Sequence, residues 1–421
     1  MGHLLMVESW VGSMSTLLPA GIERSGHRFS FLTRDLGHYL RAGAPSPHPL
    51  LSADNVFTAE TNDEAALLRY VRELHDLFGF DGVLTSCDYY LPTVAAIAAE
   101  LELPGPSRDA MADACDKYRT RQICRAAGVA GPAFAVAENL DELLGAAAEL
   151  GYPLVVKPVD LCGGMFVCRV DDEHRLRAAA ERIAGFPVNA RGQRRSPRIL
   201  LEECLDGPEF SVETVTVAGQ TTVIGVTDKQ ITGAPAYIEA GHMFPAALSP
   251  TELTAVVELA VAAVTALGLD ATVAHTEVKL GAHGPRLIEV NPRPAGNRIT
   301  ELVRRVTGID LTAVHAEAVA GGTPDLTPRH TGITSAAIAF AVPDRSGVLT
   351  RVHGAANWAT DTSIVEQRLP DPGTAVRPAT DNNTYLAHVM VVDETTHTAG
   401  DLGQSLIAGL HFELDVTGGG A

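Results

Sequence analysis

Residues 275–291, HTEVKLGAHGPRLIEVN, constrain the fold more than any other stretch of the chain. Polar and apolar side chains alternate on both sides of a turn containing glycine and proline, a pattern that an antiparallel β-ribbon satisfies and a helix does not. On the first strand His275, Glu277 and Lys279 share one face. On the second, Leu287, Glu289 and Asn291 share a face, with Ile288 and Val290 on the reverse. A turn centred near His283 sets Glu277 opposite Glu289 and brings Asn291 close to His275. Facing carboxylates repel unless positive charge sits between them. Two glutamates and an asparagine offer oxygen donors only, which suits Mg²⁺ or Mn²⁺. The alternative is a solvated ribbon face with two harmless exposed glutamates.

Of 32 basic residues only four are lysine: Lys117, Lys157, Lys229 and Lys279. A protein that meets its generic need for positive surface with arginine keeps lysine where a compact ammonium is required, unless the four are survivors of codon bias. The net charge of −19 argues against a nucleic-acid partner, and an anionic small molecule then needs locally placed cations. The six cysteines form no C-x-x-C pair, so neither zinc nor disulfides are expected, in keeping with a reducing cytoplasm. No apolar run approaches the ~20 residues of a membrane span, and MGHLLMVESWVGSM has no basic n-region leading into a long apolar run, so a secretory leader is not expected. A cytoplasmic protein with no membrane partner is expected.

A length of 421 residues predicts two to four domains. Short apolar strands at 3–7, 28–33 and 81–85 alternate with helices at 64–78 and 92–101, and Leu67, Val71 and Leu74 line one face of the first helix. This alternation predicts a parallel α/β domain ending near residue 107. It lacks G-x-G-x-x-G after its first strand, so a dinucleotide site is not supported. Further helices are expected at 109–127, 139–150 and 251–267, and strands at 133–136, 154–157, 166–170, 198–203, 210–217 and 221–228. The basic stretch 186–198 reads as a mobile loop or sheet edge, and the tail beyond 326 as strands mixed with loops rich in Pro, Gly and Asp.

The ribbon and its surroundings resemble the ATP-grasp ligases, whose metal ligands are an acidic residue on one strand and Glu-x-Asn on the next, followed by Pro-Arg. Glu277, Glu289, Asn291 and Arg293 match that pattern. The resemblance spans nearly the whole chain. It implies a mixed α/β and α+β architecture, the ATP-grasp fold, with an N-terminal Rossmann-like parallel domain of the biotin-carboxylase type over 1–107. A catalytic domain over 108–325 follows, whose part at about 132–205 forms one side of the ATP cleft, and a C-terminal subdomain over 326–421 packs on it. ATP and Mg²⁺ (or Mn²⁺) are the implied cofactors. Lys117 in DKYRTR and Lys157 in PLVVKP then hold phosphates, with snorkelling surface lysines as the alternative. Gly163 and Gly164 stand where the family carries its phosphate-covering loop, in a stretch shorter in Gly and Ser than usual; a tight turn is the alternative. The segment ILLEECLDGPE matches the family's hinge. The resemblance puts Glu202 near the adenine amino group, the backbone of Glu203, Cys204 and Leu205 along the adenine edge, and Glu209 on the ribose hydroxyls. A plain acidic strand–turn–strand is the alternative.

The stretch VTDKQITGAPAYIEAGHMFPAAL is similar to the L-amino-acid ligases and carnosine-synthase-like enzymes. The likeness implies that Lys229 is a phosphate or cleft charge and that Glu239 holds an α-ammonium group. It makes His242 the group that orients or deprotonates the amine, or else a structural histidine beside Pro245. Arg293 would contact the acyl phosphate or its carboxylate, with the turn at Gly296 beside it in the substrate pocket. The implied reaction joins a small-molecule carboxylate to an amine through an acyl phosphate and releases ADP and phosphate. Dimerisation is carried by the resemblance alone. Two rivals stay open: a carboxylase of the biotin-carboxylase or purine-biosynthesis type, against which Glu-Ala-Gly-His argues, and a non-catalytic nucleotide-binding regulator, against which the intact set of cations and carboxylates argues.

Overall fold

Strands His3–Val7, Arg28–Thr33, Asn55–Thr58 and Gly82–Leu84 form a parallel sheet in the order third, second, first, fourth. They belong to a computed structural model that describes residues 1–40, 49–232, 237–382 and 384–415. The runs HLLMV and RFSFLT are buried along nearly their whole length, as strands covered on both faces must be. Asn55–Thr58 was not foreseen: it is four residues long and alternates between half-buried and exposed. The helix Glu64–Phe78 spans the expected residues. Asp63 caps it by accepting the Ala66 N–H at 3.0 Å, and Leu67, Val71 and Leu74 are its buried face. The chain runs outward from the first strand to the third, then returns to pair the fourth on the first strand's other side. Loops leaving the first and fourth strands therefore flank one crevice, the place where open parallel sheets accept ligands.

The helix expected over 109–127 is two helices, Arg108–Cys115 and Lys117–Ala126. Asp116 between them is extended at φ −110°, and its carboxylate accepts the Tyr118 and Arg119 N–H groups at 3.0 and 3.1 Å. An aspartate that can cap its neighbours competes with a helix running through it. The break places Lys117 at the start of a new helix.

Phe134–Ala137, Ile199–Glu203, Leu154–Pro158 and Cys168–Val170 make an antiparallel sheet in that order. Helices Leu140–Leu150 and Glu173–Ala184 pack on it through Leu143, Ala147, Leu176 and Ile183. The stretch 186–198, expected to be a mobile loop or a sheet edge, is a loop docked on the N-terminal sheet. Arg191 is 6% exposed, donates to the Ser9 carbonyl and lies over the rings of Trp10 and Tyr39 at 5.9 and 5.3 Å. Its polarity suggested solvent because its partners come from the distant N-terminal sheet.

An eight-stranded antiparallel sheet fills the centre, ordered Gly284–Asn291, Thr272–Gly281, Glu209–Val217, Gln220–Ile231, Glu239–Phe244, Ser335–Ala341, Ala387–Asp393 and Ile364–Arg368. The segment beyond 326 thus adds strands to this sheet and does not merely pack on it. Pairing satisfies the edge that Glu239–Phe244 would otherwise expose. Helices Ile299–Thr307 and Leu311–Val319 cover the sheet, burying Leu302, Val303 and Leu311 with Val273 and Met390. Among the described residues no helix is long and apolar enough to cross a membrane.

His315, in the second of these helices, is 4% exposed, and its Nδ1 has no partner. Burial pulls its pKa from 6.5 down to about 4. The fold holds it neutral while the unfolded chain takes up a proton, so its contribution is complete above pH 6.5 and is lost as pH falls to about 4. That loss amounts to about 3 kcal/mol. In urea titrations across this pH window His315→Leu should flatten the slope of stability against pH; an unchanged slope would exclude His315 as its source.

Candidate active site

Three of the four sheets among the described residues meet around a cavity of about 670 Å³. All four lysines of the chain border it. So does every candidate residue named from the sequence except His242.

The ribbon reaches the expected pairing by a route that simple alternation does not show. Gly281 pairs with Gly284, a two-residue turn that would set Glu277 against Ile288. A bulge at Ile288 adds one residue, so Glu277 faces Glu289 and His275 faces Asn291. The bulge also corrects the faces. Leu287 turns into the core with Val290, and Ile288 borders the cavity beside Glu289 and Asn291.

Each glutamate meets a lysine: Lys117 Nζ lies 2.6 Å from Glu289, and Lys229 Nζ lies 2.6 Å from Glu277. His275 reaches Glu277 at 3.2 Å through Nε2 and Glu213 at 2.8 Å through Nδ1. Protein cations therefore offset the repulsion, which corrects the expectation that a divalent ion alone makes the pair tolerable. Burial pushes the Glu277 carboxyl up, but Lys229 and His275 hold it far below the usual range. His275 rises to about 9, because Glu213 outweighs the burial that disfavours its charge. As a divalent-metal site, the donor set is chemically suitable. Asn291 is 8% exposed and borders the cavity, and its amide makes no hydrogen bond with another described residue. Two carboxylates and an amide oxygen fit Mg²⁺ or Mn²⁺ and do not fit zinc. Among the described residues no cluster of three or more His, Cys, Asp or Glu offers another metal centre.

Lys157, next to last in its strand, is 5% exposed. Glu202, 3% exposed, lies 2.5 Å from Lys157 and 2.6 Å from Arg121. Two cations sharing one carboxylate leave surplus positive charge at the cavity wall. Burial lowers the pKa of Lys157 in spite of Glu202; burial would raise that of Glu202, but Arg121 and Lys157 hold it low. Glu202 thus serves the cations first, where the resemblance had put it near the adenine amino group. Lys229 is caged by Glu277, Glu239 at 3.0 Å and Glu209 at 3.3 Å. Burial opposes its charge, yet the three carboxylates raise its pKa well above the usual value. It orders carboxylates and is not an open phosphate ligand. Burial lifts Glu209 to about 6 against the pull of Lys229.

Gly163 and Gly164 adopt φ of 64° and 71°, a left-handed backbone that favours glycine. Their loop folds over Lys117, whose Nζ donates to the Leu161 carbonyl at 2.6 Å. Glu203 is tied to Ala133 twice, its side chain accepting the Ala133 N–H at 3.0 Å and its own N–H donating to the Ala133 carbonyl at 2.8 Å, and Cys204 and Leu205 follow it along the cavity wall.

Arg293 donates through Nε to Asp88 at 2.8 Å, and the second Asp88 oxygen accepts Trp10 Nε1 at 2.7 Å. The two loops of the parallel-sheet crevice thereby fix Arg293. Asn297 donates to the carboxylate of Glu239. His242 is 1% exposed, and Phe340 closes over it with ring centroids 5.9 Å apart. Its Nε2 is 3.2 Å from Glu239, but neither ring nitrogen has a hydrogen-bond partner in aligned geometry. The expected contact with an incoming amine is therefore corrected: His242 lies behind Glu239 and does not reach the cavity. Gly296 borders the cavity, and a Cβ there would meet nothing within 4 Å. Its smallness leaves space open and is not demanded by the backbone. Asp88, Arg191 and Asn382 also border the cavity and were missed. Asp88 had a signal, since it follows the fourth strand of the crevice; Arg191 and Asn382 stand in loops with none.

Comparison with known proteins agrees with this geometry. Residues 150–301 match the ATP-grasp domain, 23–105 the ATP-grasp N-terminal domain and 339–415 the L-amino acid ligase C-terminal domain 2. The chain is 28% identical over 379 residues to the uncharacterized protein y4rH of Sinorhizobium fredii, covering 89% of this chain and 77% of that one. It is 25% identical over 303 residues to alanine–anticapsin ligase of Bacillus amyloliquefaciens, covering 68% of this chain and 63% of that enzyme, just under two thirds of its length. The crystal structure of an L-amino acid ligase from Bacillus licheniformis superposes with a TM-score of 0.79 at 24% identity, over 99% of both chains. The chain thus carries an ATP-grasp domain between an ATP-grasp N-terminal domain and an L-amino acid ligase C-terminal domain, shares its fold with an L-amino acid ligase, and is similar in sequence to ATP-grasp ligases.

Proposed function

We propose that this chain joins the carboxylate of an amino acid or related acid to an amine, converting ATP to ADP and phosphate through an acyl phosphate. One observation carries the reading: four lysines, Arg293 and the opposed Glu277–Glu289 pair meet in a single cavity. Phosphoryl transfer asks a protein mainly for positioning and charge neutralisation. In this reading a carboxylate oxygen attacks the γ-phosphorus, the bond to the bridging oxygen breaks, and ADP leaves with that electron pair. The amine nitrogen then attacks the acyl carbon, phosphate departs, and the nitrogen gives up a proton.

Lys157 and Lys117 hold phosphate oxygens, as point charges suit. Arg293, fixed by Asp88, takes the substrate carboxylate, and Glu239 holds an ammonium group. Glu277, Glu289 and Asn291 hold a divalent cation, which when bound offsets phosphate charge. The loop at Gly163–Gly164 shields the acyl phosphate from water. The three functional units at 1–107, 108–325 and 326–421, a cytoplasmic location, a homodimer and a place in specialised-metabolite biosynthesis belong to the same proposal.

Screening pairs of amino acids for ADP and phosphate release tests it. Phosphate and amide should appear in equal amounts, and only when acid and amine are both present. AMP and pyrophosphate as products would refute the acyl-phosphate route. Bicarbonate-dependent ADP release without an amine would point to a carboxylase instead.

A further inference from the structure

Asn382 lies between the C-terminal strands Ala375–Val376 and Ala387–Asp393, far in sequence from the residues it touches. Its main-chain N–H donates to the Gly163 carbonyl at 3.2 Å. Its side-chain oxygen accepts the Glu239 N–H at 3.0 Å. The Asn382 amide rests against the loop, 3.5 Å from where a Cβ on Gly164 would stand. Three residues on, the ring of Tyr385 stacks on Phe340 at 4.1 Å, and its hydroxyl accepts from Asn297 at 3.2 Å. Asn297 in turn donates to the Glu239 carboxylate. Asn382 therefore holds Glu239 at its main chain, Tyr385 reaches its carboxylate through Asn297, and Asn382 also holds the glycine loop.

We propose that Asn382 is a positioning residue that couples closure of the Gly163–Gly164 loop to the seating of Glu239, so that phosphoryl transfer awaits an ordered substrate strand. This inference rests on the ligase reading above. The loop carbonyl and the strand N–H lie on segments of different sheets, and one asparagine satisfies the two at once. If the tie is lost, the loop closes without regard to substrate, and the acyl phosphate is left to water.

Asn382→Ala keeps the main-chain donor and removes the acceptor for the Glu239 N–H together with the amide that rests against the loop. Deuterium uptake by residues 161–167, measured with a non-hydrolysable ATP analogue, should become about tenfold faster, the worth of one hydrogen bond. Phosphate released per amide formed should rise about tenfold as well, with the melting temperature unchanged. Asn382→Asp, which restores an acceptor oxygen, should return the loop to slow exchange. Wild-type exchange rates in Asn382→Ala would overturn the coupling. So would a lowered melting temperature with an unchanged phosphate-to-amide ratio, which marks a structural role only. Failure of the ligase reading shows separately, as wild-type protein that releases no amine-dependent phosphate, and the exchange measurement still decides whether Asn382 orders the loop.

Discussion

Glu289→Gln is expected to lower amide-forming turnover by about two to three orders of magnitude while leaving the fold intact. The substitution conserves shape and removes one negative charge from the oxygen donor set. Lys117, 11% exposed and 2.6 Å from Glu289, then faces a neutral amide but keeps its bond to the Leu161 carbonyl. That retained bond, and partial access to solvent, keep the stability loss small. Glu277 is a less clean target, because Lys229 and His275 both lean on it. Turnover, together with Mn²⁺ affinity measured by paramagnetic resonance with ATP present, separates metal loss from misfolding. Full activity in Glu289→Gln would remove the metal assignment.

Glu202→Gln should destabilise the protein by about 3–5 kcal/mol, the usual consequence of stripping a buried charge of its partner. The reason is charge arithmetic. Arg121 and Lys157 share this single carboxylate at 2.6 and 2.5 Å, and both are nearly inaccessible to water. Without it two desolvated cations face each other. Lys157→Met has the opposite expectation: it leaves a neutral Arg121–Glu202 pair, so the fold should melt at or above the wild-type temperature while ATP affinity falls about a hundredfold. Urea denaturation and nucleotide calorimetry on the two variants check the pair of outcomes. Strong destabilisation by Lys157→Met with none by Glu202→Gln would show that the charges are apportioned wrongly. The pH dependence follows in sign. The folded carboxyl of Glu202 titrates below the ordinary 4.5, so its stabilisation is present above pH 4.5 and disappears as pH falls through the folded value.

The lysines were the most legible part of the site. An arginine-rich chain spends four lysines, and all four border one cavity. Helix Glu64–Phe78 was equally legible, since Asp63 and Gly79 stop it at both ends. The 109–127 helix was misjudged because apolar periodicity runs through Asp116 whereas its capping carboxylate does not. The ribbon is the instructive middle case. Its pairing was foreseen, but the bulge at Ile288 that produces it was not, and with it went the faces of Leu287 and Ile288.

Local patterns act over a few residues, through side-chain periodicity, caps and turns. They were enough to determine the parallel N-terminal unit, the acidic ribbon and the scarcity of lysine that marks its surroundings. What joins those parts is contributed from afar, and only the tertiary structure decided it. Asp88 fixes Arg293 across 205 positions, Arg191 reaches the Ser9 carbonyl across 182, and Asn382 joins Glu239 across 143. His242 is buried behind Glu239 and against Phe340 on a neighbouring strand. A buried charge or donor takes its meaning from whatever the packed sheets bring against it, and no spacing along the chain carries that information.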